Sequence, residues 1–160
     1  MRSLLTVQTP IGRLGLVAEE NGLTNIYFEH ESLPPGLELR ETELLMAAGR
    51  QLTEYFSGQR RVFDLPLAPA GTEFQRKVWQ ALCRIPYGET VSYQAVARAI
   101  GNEKAVRAVG QANHKNPIPI IIPCHRVIGK NGALVGYGGG LKIKETLLAM
   151  EKAYLKGQAG

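Results

Sequence analysis

The sequence predicts a two-domain α/β protein. Three observations carry that expectation: a β-meander pattern in the first thirty residues, a reversal of charge sign near residue 72, and two short helical patterns joined by a tight glycine turn beyond it. Segments 3–8, 12–19 and 23–29 mix β-branched and apolar residues. They are separated by Thr9-Pro10-Ile11-Gly12 and by Asn21-Gly22, a strong short hairpin signal. After a loop around Pro34, Pro35 and Gly36, residues 41–57 place Leu45, Ala48, Leu52, Tyr55 and Phe56 at helical spacing, with Gly58 as the stop. One helix should therefore cover one face of the sheet. Leu67-Ala68-Pro69-Ala70-Gly71 has linker character, which sets the expected domains at 1–72 and 73–160.

The second half opens on Thr72-Glu73-Phe74-Gln75, a capping box, before a helix with Phe74, Val78, Ala81, Leu82 and Ile85 on one stripe. Pro86 and Gly88 end it. Ser92 can cap a second helix bearing Tyr93, Val96, Ala97 and Ile100. Gly101 and Asn102 then turn the chain into a third, from about Glu103 to Asn113, which reads as a helix-turn-helix. That third helix is small-sided: Ala105, Ala108, Gly110 and Ala112 surround one long cation, Arg107. Tight packing against the second helix, or close approach to another surface, would each explain it. Asn116-Pro117-Ile118-Pro119 cannot continue the helix. Ile120, Ile121 and Ile122 are expected as a short buried strand delivering Pro123, Cys124, His125, Arg126 and Val127. A glycine-rich stretch follows, then a closing helix from Leu141 to about Leu155.

Composition narrows the function. A hydrophobic content of 44% is that of a folded protein, and no apolar run approaches the ~20 residues that cross a bilayer. The start of the chain lacks a signal-peptide core, so a cytoplasmic protein with no membrane partner is expected. Two cysteines and three histidines, not at ligand spacing, argue against a disulfide framework or structural metal. Residues 1–72 carry 6 Lys/Arg against 9 Asp/Glu, a net of −3. Residues 73–160 carry 13 against 5, a net of +8, which makes the second half the candidate polyanion binder.

Cys124 with His125 beside it is the candidate reactive centre. A cysteine among isoleucines is by default inert, and a free thiol near pKa ~8.5 is only a few per cent thiolate at neutral pH. An adjacent base, nearby Arg126 and a glycine-rich loop argue for a nucleophile. Neighbouring side chains on a strand point to opposite faces, so transfer from Cys124 to His125 requires a turn or a bridging water.

Pro123 to Val127 (PCHRV), the preceding Asn116-Pro117-Ile118-Pro119, FQRKVWQALCRIPYG over 74–88, Ser92-Tyr93-Gln94 and Ala105 to Gly110 together resemble the O6-alkylguanine-DNA alkyltransferase family. The resemblance covers essentially all of the second half and the first half more loosely. It implies a ribonuclease-H-like first domain and a winged helix-turn-helix-like alkyltransferase domain. It further implies repair of double-stranded DNA containing O6-alkylguanine by irreversible, single-turnover transfer to Cys124, by a monomer with no cofactor and no metal. His125 would receive the thiol proton through water, Glu151 would hold the imidazole, and Tyr93 would donate to the guanine ring. Asn116 would brace the turn into the site. Arg107 would fill the gap left by a flipped nucleotide, with Ala108, Gly110 and Ala112 fitting the minor groove. Gln94, Asn102, Lys104 and Lys130 would meet phosphates, and Val127, Tyr137 and Gly138 would line the pocket. Gly138 stands where many relatives have serine. Three alternatives stay open on the residues alone: a module that binds alkylated DNA without transfer, a cysteine hydrolase, and a transcription factor with an inert cysteine.

Overall fold

In the first half, apolar side chains recur on both faces of a short sheet, and a single helix covers one of them. The computed structural model describes residues 2–129, 132 and 139–157, and the chain divides into two units, one ending at Ala70 and the other beginning at Gly71. In the first, β1 (Ser3–Thr9), β2 (Gly12–Glu19) and β3 (Gly22–Tyr27) form the antiparallel meander. A two-residue strand, β4 (Glu38–Leu39), pairs parallel to β1 and was not foreseen. Helix α1 (Glu43–Phe56) starts at Thr42, whose hydroxyl accepts the Leu45 N–H. It buries Leu45, Ala48, Leu52, Tyr55 and Phe56, the expected stripe. Gly49 lets it approach β1, since an added carbon there would meet Val7 Cγ2 at 3.2 Å.

Leu67-Ala68-Pro69-Ala70-Gly71 is not a free linker along its length. Leu23 N–H donates to the Pro66 carbonyl at 2.9 Å and Ala68 N–H to the Leu23 carbonyl at 2.8 Å, so the segment lies along β3 as an edge. Gln51 secures the approach to it with a pair of hydrogen bonds to the Asp64 backbone. β3 offers unpaired donors and acceptors on its outer edge, and the returning chain satisfies them.

The second unit holds α2 (Glu73–Leu82), β5 (Val91–Ser92), α3 (Tyr93–Ala99), α4 (Val106–His114), a 3₁₀ turn at Cys124–Arg126, β6 (Val127–Ile128) and α5 (Leu141–Leu155). Both halves of the Thr72/Gln75 capping box are formed. Trp79 on α2 donates its indole N–H to the Ala112 carbonyl of α4 at 2.9 Å. Helix α3 ends in a Schellman motif: Asn102 N–H reaches the Ala97 carbonyl and Gly101 N–H the Arg98 carbonyl, with Gly101 at φ +77°. Residues 102–105 are used in that turn, so α4 begins at Val106 rather than near Glu103.

One expectation fails, at the isoleucines. Ile120 to Ile122 do not form a strand, although all three are buried. Pro117 and Pro119 lack N–H donors, and the Asn116 side chain donates to the Ile122 carbonyl while accepting from Ile118 N–H, so the chain folds back on itself. Ile120 sits at φ +75°, a costly region for a β-branched residue. Of the small residues on α4, Ala108 is exposed, but Ala112 is buried against α2 and Gly110 faces Tyr93. Packing accounts for those two.

Gly22→Ala should destabilise the first unit by about 1–3 kcal/mol, because the new carbon would lie 2.8 Å from the Pro66 carbonyl oxygen. Gly36→Ala, with nothing within 4 Å of the added carbon, should cost less, only the strain of a side chain at φ +83°. Denaturant unfolding followed by circular dichroism checks the pair.

Candidate active site

The short parallel pairing of β5 with β6, Val91 opposite Val127 and Ser92 opposite Ile128, brings the start of α3 beside the turn that carries the cysteine. Tyr93, the first residue of α3, is thereby set next to Cys124, although thirty residues of chain separate them. Ser92 caps the helix through its hydroxyl, which accepts Ala95 N–H. Cys124 itself opens a 3₁₀ turn, not a strand continuation. Successive side chains there diverge by about 120° rather than 180°, which removes the opposite-face geometry of Cys124 and His125 expected on a strand.

His125 is wholly buried and its Nε2 lies 2.7 Å from Glu151 Oε2. Glu151, also wholly buried on α5, accepts from Arg126 Nε and Nη2, each at 2.9 Å, and from the Gly88 amide at 3.1 Å. The remaining Arg126 nitrogen, Nη1, donates to the Ile85 carbonyl at 2.8 Å, and the guanidinium stands 5.6 Å from the centre of the Tyr87 ring. Burial alone would favour protonated Glu151, but hydrogen bonds and charge from His125 and Arg126 outweigh it and hold the carboxyl well below its ordinary value. For His125 burial dominates and lowers the pKa. The Glu151 contact pulls it back only in part, and the Arg126 and Lys144 charges lower it further. Arg126 already compensates the carboxylate, so the imidazole is neutral at pH 7 and donates Nε2–H to Glu151. Nδ1 then carries the free lone pair, and it has no hydrogen-bond partner among the described residues.

The other sequence candidates fall into distinct places. Asn116 ties the segment before the cysteine as described above. Arg107, Asn102 and Lys104 are exposed, and Gln94 donates to the Glu103 carbonyl at 3.2 Å, spending one N–H on the turn between α3 and α4. Val127 is fully buried, its carbonyl taken by Lys144 Nζ. Lys130, Tyr137 and Gly138 lie outside the described residues. Among the described residues no group of His, Cys, Asp or Glu could hold a metal ion, and no helix is long and apolar enough to cross a membrane. Cys83 and Cys124 are both free thiols.

Residues 73–153 match the family profile described as "6-O-methylguanine DNA methyltransferase, DNA binding domain", and residues 4–69 match its "ribonuclease-like domain". The chain belongs to the 6-O-methylguanine DNA methyltransferase family. It is 49% identical to the constitutive methylated-DNA–protein-cysteine methyltransferase of Bacillus subtilis, over 98% of this chain and 99% of that one. It is 51% identical to a methylated-DNA–protein-cysteine methyltransferase of Methanosarcina acetivorans, over 90% of this chain and 94% of that one. The crystal structure of Mycobacterium tuberculosis OGT in complex with DNA superposes with a TM-score of 0.88 at 44% identity, over 96% of this chain and 93% of that one.

Within this methyltransferase, three residues near Cys124 were absent from the sequence candidates. Arg126 was noted only as a nearby cation, yet it neutralises Glu151. Lys144 is buried on the same α5 face as Leu147 and Glu151, at spacings of three and seven; a charge on an otherwise apolar stripe was the available signal. Asn113 is buried on α4 one turn beyond Val109, and its Nδ2 lies 3.4 Å from the Cys124 carbonyl.

Glu151→Gln should leave the Arg126 cation buried without its counter-charge and cost about 3–5 kcal/mol. Denaturation followed by fluorescence of Trp79, the single tryptophan, reads this unit alone. The acid response has a definite sign. Between the lowered pKa of folded His125 and the ordinary value near 6.5, the unfolded chain holds a proton that the folded chain lacks. The stabilisation is therefore fully present above that ordinary value and is lost as pH falls through the window. Glu151 acts in the same sense lower down, stabilising above the ordinary carboxylate value and failing as pH falls toward its folded one. Unfolding free energy should drop more between about pH 7.5 and about pH 5.5 in the wild type than in His125→Gln, which keeps an amide donor for Glu151.

Proposed function

We propose that the acceptor of the alkyl group is Cys124 and that its substrate is O6-alkylguanine in double-stranded DNA. The protein is a methylated-DNA–protein-cysteine methyltransferase that acts in DNA repair. The observation that carries the assignment is His125 next in sequence to the thiol, fixed through Nε2 by Glu151 and with Nδ1 unpartnered among the described residues. A base fixed in this way takes the thiol proton through one water. The thiolate attacks the alkyl carbon, the C–S bond forms, and the carbon–O6 bond breaks with its electron pair going to guanine.

Tyr93 suits the departing base. Burial raises the pKa of its phenol, negative charge at Cys124 raises it further, and the Asn113 amide opposes both, so the hydroxyl stays protonated and donates. Once the thioether has formed, the thiolate charge that balanced imidazolium at His125 is gone. Glu151, the carboxylate beside the imidazolium, is already shared with Arg126, so the proton passes back through water to the departing guanine. Cys–SH and alkylguanine have become Cys–S–alkyl and guanine. A thioether has no route back, so each molecule acts once. A free thiol is also what a reducing compartment preserves, which fits action in the cytoplasm, and the protein acts as a monomer.

Access to the base requires flipping it from the stack, at a cost of a few kcal/mol. Helices α3 and α4 form the helix-turn-helix that meets the duplex. Exposed Arg107 and Ala108 enter the minor groove, where Arg107 occupies the vacated space. Exposed Asn102 and Lys104, with Gln94 and Lys130, supply sequence-independent phosphate contacts.

Incubation with duplex carrying O6-methylguanine should raise the intact mass by one methyl in place of hydrogen, with peptide mapping to Cys124 and no gain in Cys124→Ser. Binding without a mass gain would mean a recognition module, and product in molar excess over protein would mean a hydrolase.

A further inference from the structure

Asn113 is a buried polar side chain that the proton path above does not use. It is 1% exposed, and its amide is only half employed: Nδ2 makes a long contact of 3.4 Å to the Cys124 carbonyl, and Oδ1 has no hydrogen-bond partner among the described residues. A buried amide with an unmet acceptor is a poor stabilising device, and such groups are retained where they serve a site. Its place on α4 says what it serves. Gly110, one turn earlier on the same face, would bring an added carbon to 3.9 Å from Cδ1 and Cε1 of Tyr93, so the ring lies along this face. The Asn113 amide interacts with the hydroxyl end, where it opposes the effect of burial on the phenol. Asn113 thus lies between the two groups that flank the reacting carbon: its amide is 3.4 Å from the Cys124 carbonyl, and it stands one turn beyond the glycine that the Tyr93 ring lies along.

We propose that Asn113 is a positioning residue for alkyl transfer: its amide links the Tyr93 hydroxyl to the Cys124 backbone and fixes the donor relative to the nucleophile. The proposal rests on the assignment of Cys124 and Tyr93 made above. It makes the effect of Asn113 conditional on the Tyr93 hydroxyl, which a general packing role would not do.

A double-mutant cycle on the single-turnover rate of methyl transfer from O6-methylguanine duplex tests it. Asn113→Leu keeps the volume and removes the amide. It should slow transfer about tenfold in the wild type and less than about twofold in Tyr93→Phe, as expected for loss of about one hydrogen bond acting through Tyr93. Equal slowing in both backgrounds, or none in the wild type, would overturn the proposal. Should loss of native Trp79 fluorescence show that Asn113→Leu does not fold, Asn113→Ser enters the same cycle under the same criterion. A wild-type protein that gains no methyl group at all would instead overturn the assignment on which the proposal rests.

Discussion

Glu151 is a carboxylate with no solvent exposure, and the second unit is arranged around keeping it charged. Removing such an ion from water costs several kcal/mol, which is recovered only when good donors converge on it. Here they come from two separate stretches of chain, Gly88 after α2 and His125 with Arg126 in the 3₁₀ turn, and meet a carboxylate supplied by a third, α5. Arg126 then fastens the cluster to the end of α2 through the Ile85 carbonyl. One interaction therefore closes the domain and sets the chemistry. Because the arginine supplies the positive charge, the imidazole is left neutral, oriented and able to take a proton.

The cost of this arrangement is carried by the segment that delivers the cysteine. Two prolines, an asparagine hooked to its own backbone and an isoleucine at positive φ replace what would otherwise be a strand. A strand would have sent Cys124 and His125 to opposite faces, whereas a 3₁₀ turn lets both serve one site. Strain confined to a well-packed functional segment persists because the surroundings over-determine it, and Ile118, Ile120 and Ile122 are all buried at 1% exposure or less.

Helix α4 divides its labour by face. Its inner side carries Val109, Ala112 and Asn113 against α2 and the cysteine segment, with Gly110 against Tyr93, while its outer side presents Arg107 and Ala108. The same nine residues face the core, Tyr93 and the cysteine segment on one side and solvent on the other.

What the sequence determined by itself was whatever local periodicity and capping encode. The meander, the α1 stripe, the Thr72/Gln75 box and the glycine turn after α3 were all legible, because each depends on residues within a few positions of one another. The motif around Cys124 was legible as chemistry for the same reason. Glu151, whose partners lie 25 to 63 residues away, was placed only through the family resemblance. Tertiary structure decided the rest. It decided that the isoleucines turn, since the Asn116 hook and the lost proline donors outweigh β-propensity, and that the chain after Pro66 pairs with β3 across more than forty residues. It also decided that Arg126, Lys144 and Asn113 belong beside Cys124. Their roles come from long-range pairings, β5 with β6 and α5 against the 3₁₀ turn, and a charge or amide on a helix face reveals nothing of its partner until such pairings have formed.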